Sequence, residues 1–235
     1  FFFFSSTEEQ AESVIRAADR YLFDPKRGGF CLNTDFHEVK TDLGRMFGFA
    51  YGTKENGAVF SHMSVMYSYA LYSRGFVREG WKVLKNLYRQ SISPESRILP
   101  GIPEYFDLRG RGMYPYLTGA ASWYLIVLRT QIFGICGERG NLVLEPKLMA
   151  EQFDEKGEAS ICCRFKGMKL KVLYRNPQRL DWENCSLGNI EIDGQRLYCG
   201  AAKFRVPTDY LVPDTGHPCR IIADMEEKAS VIRDI

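Results

Sequence analysis

Helical periodicity dominates the first half of the chain. Val14, Ile15, Ala18, Tyr21 and Leu22 recur at the three-and-four spacing of a helix face. Thr7 precedes them with Gln10 three residues on, the order of a capping box, and Asp24-Pro25 with Gly28-Gly29 closes the segment. From Ser61 to Tyr72 the chain is apolar nearly all round, through Met63, Val65, Met66, Tyr69 and Ala70, which predicts a buried helix ending at Gly75. Val77 to Tyr88 is amphipathic: Trp81, Leu84, Leu87 and Tyr88 oppose Arg78, Lys82, Lys85 and Arg89. Arg74-Gly75-Phe76 would join these two helices into an antiparallel hairpin. A fourth helix is expected from Thr118 to Phe133, again apolar nearly all round, closed by Gly134 and Gly137. Residues 30–58 and 94–115 read as long loops rich in Gly, Pro and aromatics, and such loops in compact domains carry function.

After about residue 140 the period changes from helical to alternating. Asn141 to Glu145, Ala159 to Phe165, Met168 to Tyr174 and Asn189 to Ile192 read as strands, with Lys166-Gly167 and Asp193-Gly194 as hairpin turns. The expected class is therefore α + β, with helical hairpins in residues 1–137 and an antiparallel, sandwich-like β domain in 138–235. Helical hairpins with long loops at one end suggest an (α/α)6 toroid whose site lies on one rim. Four helices do not close such a ring. The run Phe1-Phe2-Phe3-Phe4 resembles the inside of a domain, so further helices are expected before it.

Composition narrows the function. Hydrophobic residues at 45% and charged residues at 26% describe a soluble globular protein, and a net charge of +2 excludes a strongly basic nucleic-acid footprint. No run approaches the roughly 20 apolar residues of a membrane span. Seven cysteines without a CxxC, beside three histidines, argue against a zinc or other metal site and for reduced thiols in the cytoplasm. Cys162-Cys163 reads as core packing, and Asp181-Trp182-Glu183-Asn184 as a turn despite its acidic–aromatic look. A Ser-His-Asp arrangement, a Walker loop and a dinucleotide fingerprint are absent from the sequence.

Two segments carry chemistry. His62 follows the loop Lys54 to Ser61 and opens a helix, so its imidazole is either an anion donor or a core histidine bonded to a carbonyl. Thr118 and Gly119 open another helix, whose free N–H groups and dipole suit phosphate, with Gly119 allowing close approach; the plainer reading makes Thr118 a cap for the Ala121 N–H. Arg109 and Arg111 would add anion affinity, and Glu104 with Tyr105 and Phe106 suits a saccharide; a solvated loop and a core aromatic pair are the alternatives.

The two segments together, Glu55-Asn56-Gly57 through Phe60 and His62, then Tyr116-Leu117-Thr118-Gly119 through Ala121-Ser122-Trp123, resemble the C-terminal part of the family 94 glycoside phosphorylases. Gly101 to Tyr105 and Arg109 to Met113 are most similar to the 1,2-β-oligoglucan members. The resemblance implies that phosphate attacks the anomeric carbon with inversion, giving α-glucose 1-phosphate from a β-glucan. It implies no cofactor, with inorganic phosphate as co-substrate. It places phosphate at His62, Thr118 and Gly119, and saccharide at Glu55, Glu104, Arg109 and Arg111. The family's general acid lies in an Asp-Trp-Asn-Asp-like motif upstream of Glu55. Asp19, Asp24, Asp35 and Asp42 lack its neighbours, so the acid is expected outside this chain and the free chain is expected to be inactive. A non-catalytic glycan-binding or scaffold protein derived from such an enzyme is the rival expectation.

Overall fold

The computed structural model describes residues 6–98, 101–116, 118–211 and 217–228; Phe1–Phe4 and Leu117, named above, lie outside them. The chain divides into two compact units, Phe1–Val127 and Leu128–Ile235.

The first unit begins with α1 (Glu8–Tyr21), whose capping box forms as expected: Gln10 N donates to Thr7 Oγ1 at 3.2 Å and Thr7 N to Gln10 Oε1 at 3.0 Å. Its Ile15 and Ala18 pack with Phe30, Leu71 and Val83 in one core cluster. A ribbon of β1 (Phe23–Asp24) and β2 (Gly29–Phe30) follows, then β3 (Val59–Phe60). The hairpin of α2 (Ser61–Ser73) and α3 (Val77–Ile92) forms at the expected place. Gly80 lets these helices meet: a Cβ there would stand 2.5 Å from the Tyr72 ring, and Ser68 Oγ donates to Gly80 O at 2.8 Å. Within the expected loop 94–115, β4 (Tyr105–Phe106) and β5 (Gly112–Met113) extend β3 into a three-stranded antiparallel sheet. The unit ends with α4 (Gly119–Val127).

Three expectations change here. The fourth helix stops at Val127 and continues as a π-helical turn, Leu128–Ile132, so the units divide inside the expected helix rather than at 137. The turn belongs to the second unit because the Phe133 carbonyl accepts from Tyr174 at 2.7 Å and Arg129 donates to Arg164 O at 3.0 Å. The two helices read as buried all round also expose part of their apolar surface. Met63 and Met66 are exposed on α2, and Leu125 and Ile126 on α4. On α3, Tyr88 likewise faces solvent while Val83, Leu84 and Leu87 carry the burial.

The second unit pairs β6 (Ile135–Glu138), β7 (Asn141–Leu144) and β12 (Phe204–Arg205) in one sheet. A five-stranded sheet has the order β11 (Gln195–Ala201), β10 (Cys185–Ile192), β13 (Cys219–Glu227), β9 (Met168–Arg175), β8 (Glu158–Phe165). All pairs are antiparallel except β13 with β9, which run parallel with Ile221 opposite Val172. Alternation along β9 buries Leu170, Val172 and Tyr174. Burial drives the Tyr174 phenol far above its ordinary range. The same alternation overturns the core reading of Cys162, which is exposed beside its partner Lys171. Asp181 is structural as expected, accepting from Ala150 N at 2.9 Å. Among the described residues, no helix is long and apolar enough to cross a membrane, and no cluster of three His, Cys, Asp or Glu is arranged to hold a metal.

Candidate functional site: a histidine against a helix start

The ends of α2 and α4 meet in the first unit. Strand β3 leads directly into α2 and pairs with β4, Phe60 opposite Tyr105. The pairing runs one residue further, since Ser61 N donates to Glu104 O at 2.9 Å. Glu104 therefore stands beside the residue that precedes His62. The N-cap of α2 is Phe60, which offers no side-chain acceptor to the helix start.

Helix α4 begins at Gly119, and the Thr118 hydroxyl accepts from Ala120 N at 3.1 Å, one residue earlier than the expected Ala121. Gly119 meets the His62 ring. A Cβ at this position would lie 2.7 Å from His62 Cε1, 2.9 Å from Nδ1 and 3.1 Å from Nε2. The backbone at Gly119 is not in the left-handed region, so the approach of the imidazole is what requires a glycine. His62 Nε2 itself is buried and has no hydrogen-bond partner among the described residues.

Two more buried oxygens without partners belong to Glu55 Oε2 and Glu104 Oε2. Glu55 uses its other oxygen to pair with Arg45 at 3.5 Å. Beside Glu104 stands a row of aromatic rings. Tyr105 stacks on Phe60 at 6.5 Å and contacts Tyr114 at 6.0 Å, and Tyr114 meets Tyr116 edge-on at 6.3 Å. Lys54 Nζ lies 4.6 Å over the Tyr114 ring. Desolvation, then the Glu104 carboxylate beside it, pushes the Tyr116 phenol above its ordinary value.

Arg109 and Arg111 lie on the turn between β4 and β5. The register of β3 with β4, Val59 opposite Phe106, carries the following turn away from Ser61 and toward Lys26 and Gln90. There Asp107 Oδ1 accepts from Arg109 N at 2.8 Å and Arg111 N at 3.0 Å, while Gln90 Nε2 donates to Gly110 O at 2.7 Å. Both arginines are exposed at this turn.

Asn33, within the irregular stretch 30–58, holds the loop that carries Glu55. Its Nδ2 donates to Asn56 Oδ1 at 3.1 Å, and its Oδ1 accepts from Gly57 N at 2.8 Å. Asn56, buried, closes the loop by donating to Phe49 O at 2.8 Å. Asn33→Ala removes two long-range bonds and leaves buried groups unpaired, so it is expected to destabilise the first unit by about 1–3 kcal/mol. Denaturant unfolding checks this, and a change under about 0.5 kcal/mol would contradict it.

The chain is 29% identical over 154 residues to the N,N'-diacetylchitobiose phosphorylase of Vibrio proteolyticus, covering 60% of this chain and 19% of that protein. It is 26% identical over 160 residues to the cellobionic acid phosphorylase of Neurospora crassa, covering 61% and 20%. It is 22% identical over 198 residues to the solabiose phosphorylase of Paenibacillus borealis, covering 80% and 25%. The chain thus spans about a fifth to a quarter of the length of these relatives. Residues 4–134, more than half of the chain and the whole span from α1 through the His62–Gly119 contact to α4, match the glycosyl hydrolase 94 superfamily, catalytic domain, and the chain belongs to that superfamily.

Proposed function

We propose that this chain is the C-terminal part of an inverting glycoside phosphorylase acting on a β-glucan or β-glucoside, and that it supplies the phosphate end of the active site. The observation that carries the reading is His62: its Nε2 is buried without a partner while its ring lies against the start of α4. A buried unpaired polar atom costs stability unless a ligand completes it. A helix start adds N–H donors and a positive dipole end, so an anion suits the place. Phosphate takes His62, Thr118 and the backbone at Gly119 as donors. The unpaired oxygens of Glu55 and Glu104 accept from saccharide hydroxyls, against the exposed rings of Tyr114 and Tyr116.

In the reaction, a phosphate oxygen forms a bond to the anomeric carbon as the bond to the leaving glycosyl oxygen breaks. That oxygen takes a proton from a carboxylic acid. Phosphate replaces the base-activated water of an inverting hydrolase, so one protein carboxylic acid is enough. The reading places that acid outside these residues. It also places the first unit in an (α/α)6 barrel, with the α2–α3 hairpin as one of its repeats. The relatives, phosphorylases of three different disaccharides, support the reaction type and leave the linkage open.

The test is product analysis with the intact enzyme and β-linked glucooligosaccharides. α-Glucose 1-phosphate should form in the presence of inorganic phosphate, and no reducing sugar should be released without it. Hydrolysis in phosphate-free buffer, or a β-configured phosphate ester, would overturn the reading.

A further inference from the structure

We infer that Trp123 is a positioning residue for His62, fixing the imidazole in the orientation that presents Nε2 to a ligand. The inference rests on the phosphate reading only for the consequence it has on binding; the positioning itself is a statement about two rings.

His62 and Tyr69 lie seven residues apart on α2, two turns along one face, and Gly119 and Trp123 lie four apart on α4. The two faces interlock. Gly119 takes the His62 ring at its surface. The Trp123 indole lies 5.9 Å from the His62 ring, tilted by 54°, and 5.5 Å from the Tyr69 ring, edge-on at 83°. Tyr69 thereby packs against the indole, and the indole lies beside the imidazole one helical turn along α4 from its contact with Gly119. Edge-to-face and tilted aromatic pairs at these separations are attractive beyond simple burial, so the arrangement has a preferred geometry rather than a loose contact.

A histidine held this way does not lose its rotamer freedom when a ligand arrives. A free side chain does, and immobilising it weakens binding by about two- to tenfold. An aliphatic side chain at position 123 would fill space without bounding the ring. Burial alone would therefore survive the change, and the His62 orientation would not.

The experiment follows the ring C–H resonances of the three histidines, His37, His62 and His217, in this 235-residue chain, with inorganic phosphate titrated in. Wild type, Trp123→Leu, Trp123→Phe and Trp182→Phe are compared, the last as a control in the other unit. Trp123→Leu should move the His62 resonance by loss of the indole ring current and weaken phosphate binding two- to tenfold. Trp123→Phe should retain part of both, and Trp182→Phe should change neither. An unchanged His62 resonance in Trp123→Leu overturns the positioning role. If Trp123→Leu fails to fold, Trp123→Phe decides: a His62 resonance identical to wild type overturns the role, and an intermediate one supports it. A wild-type His62 that ignores phosphate while the Trp123 variants shift its resonance refutes the phosphate reading and leaves the positioning intact.

Discussion

Gly119→Ala is expected to lower kcat/KM for phosphate by roughly ten- to a hundredfold in the intact enzyme, without unfolding it. The added Cβ would meet three atoms of the His62 ring at 2.7, 2.9 and 3.1 Å. Real Cβ contacts do not come closer than about 3.0 Å, so the ring must move. The ring also packs against Trp123, at 5.9 Å between centroids, so moving it disturbs that contact too. Alanine is also a better helix former than glycine, so the start of α4 should not suffer locally. What is lost is the aim of Nε2. A hydrogen bond to a charged group contributes about 1.5–3 kcal/mol, which converts to the stated range. Initial rates with phosphate varied provide the check. Full retention of kcat/KM would mean that the ring position is irrelevant to phosphate.

Gly134→Ala is expected to have the largest effect on folding, on the order of 3–5 kcal/mol in the second unit, a large share of a typical domain's stability. Gly134 adopts φ +61°, which costs an alanine about 1–2 kcal/mol. The remainder comes from a clash that no rotamer relieves. A Cβ would stand 2.0 Å from the backbone C and O of Glu145 and 2.5 Å from Pro146 N. Both strands of this crossing are pinned: Glu145 N donates to Gly134 O at 2.9 Å and Lys147 N to Ile132 O at 2.9 Å. Denaturant unfolding followed through Trp182 measures the change. A loss under about 1 kcal/mol would show that the crossing can open at little cost.

The parts of the fold that the sequence made legible are those whose signals are local. Thr7 and Gln10 sit three residues apart and form the capping box that their spacing announces. The alternation in Met168–Arg175 is visible because the strand is eight residues long. The two-residue strands Tyr105–Phe106 and Gly112–Met113 are too short to show a period, so the hairpin that brings Glu104 to Ser61 read as loop. Its register also sets where the turn that carries Arg109 and Arg111 stands, and register is set by partners far along the chain. The parallel pairing of β13 with β9 is long-range in the same sense. At the site, His62 and Gly119 were each suspect from residue type and position, but neither spacing nor composition shows that one occupies the other's missing Cβ. The exposed Met63, Met66, Leu125 and Ile126 were unreadable for a related reason: an apolar helix states that its faces want cover without saying which face receives it.

The most direct measurement of the central claim is the phosphate dependence of the reaction in His62→Ala beside wild type, in the intact enzyme with saccharide held saturating and then varied. The account predicts that the phosphate KM rises, kcat/KM for phosphate falls by about ten- to a hundredfold, or both, while saccharide affinity is largely kept. Thr118→Ala should shift the same parameter in the same direction. An unchanged phosphate dependence in both variants would contradict the assignment of phosphate to the meeting of α2 and α4.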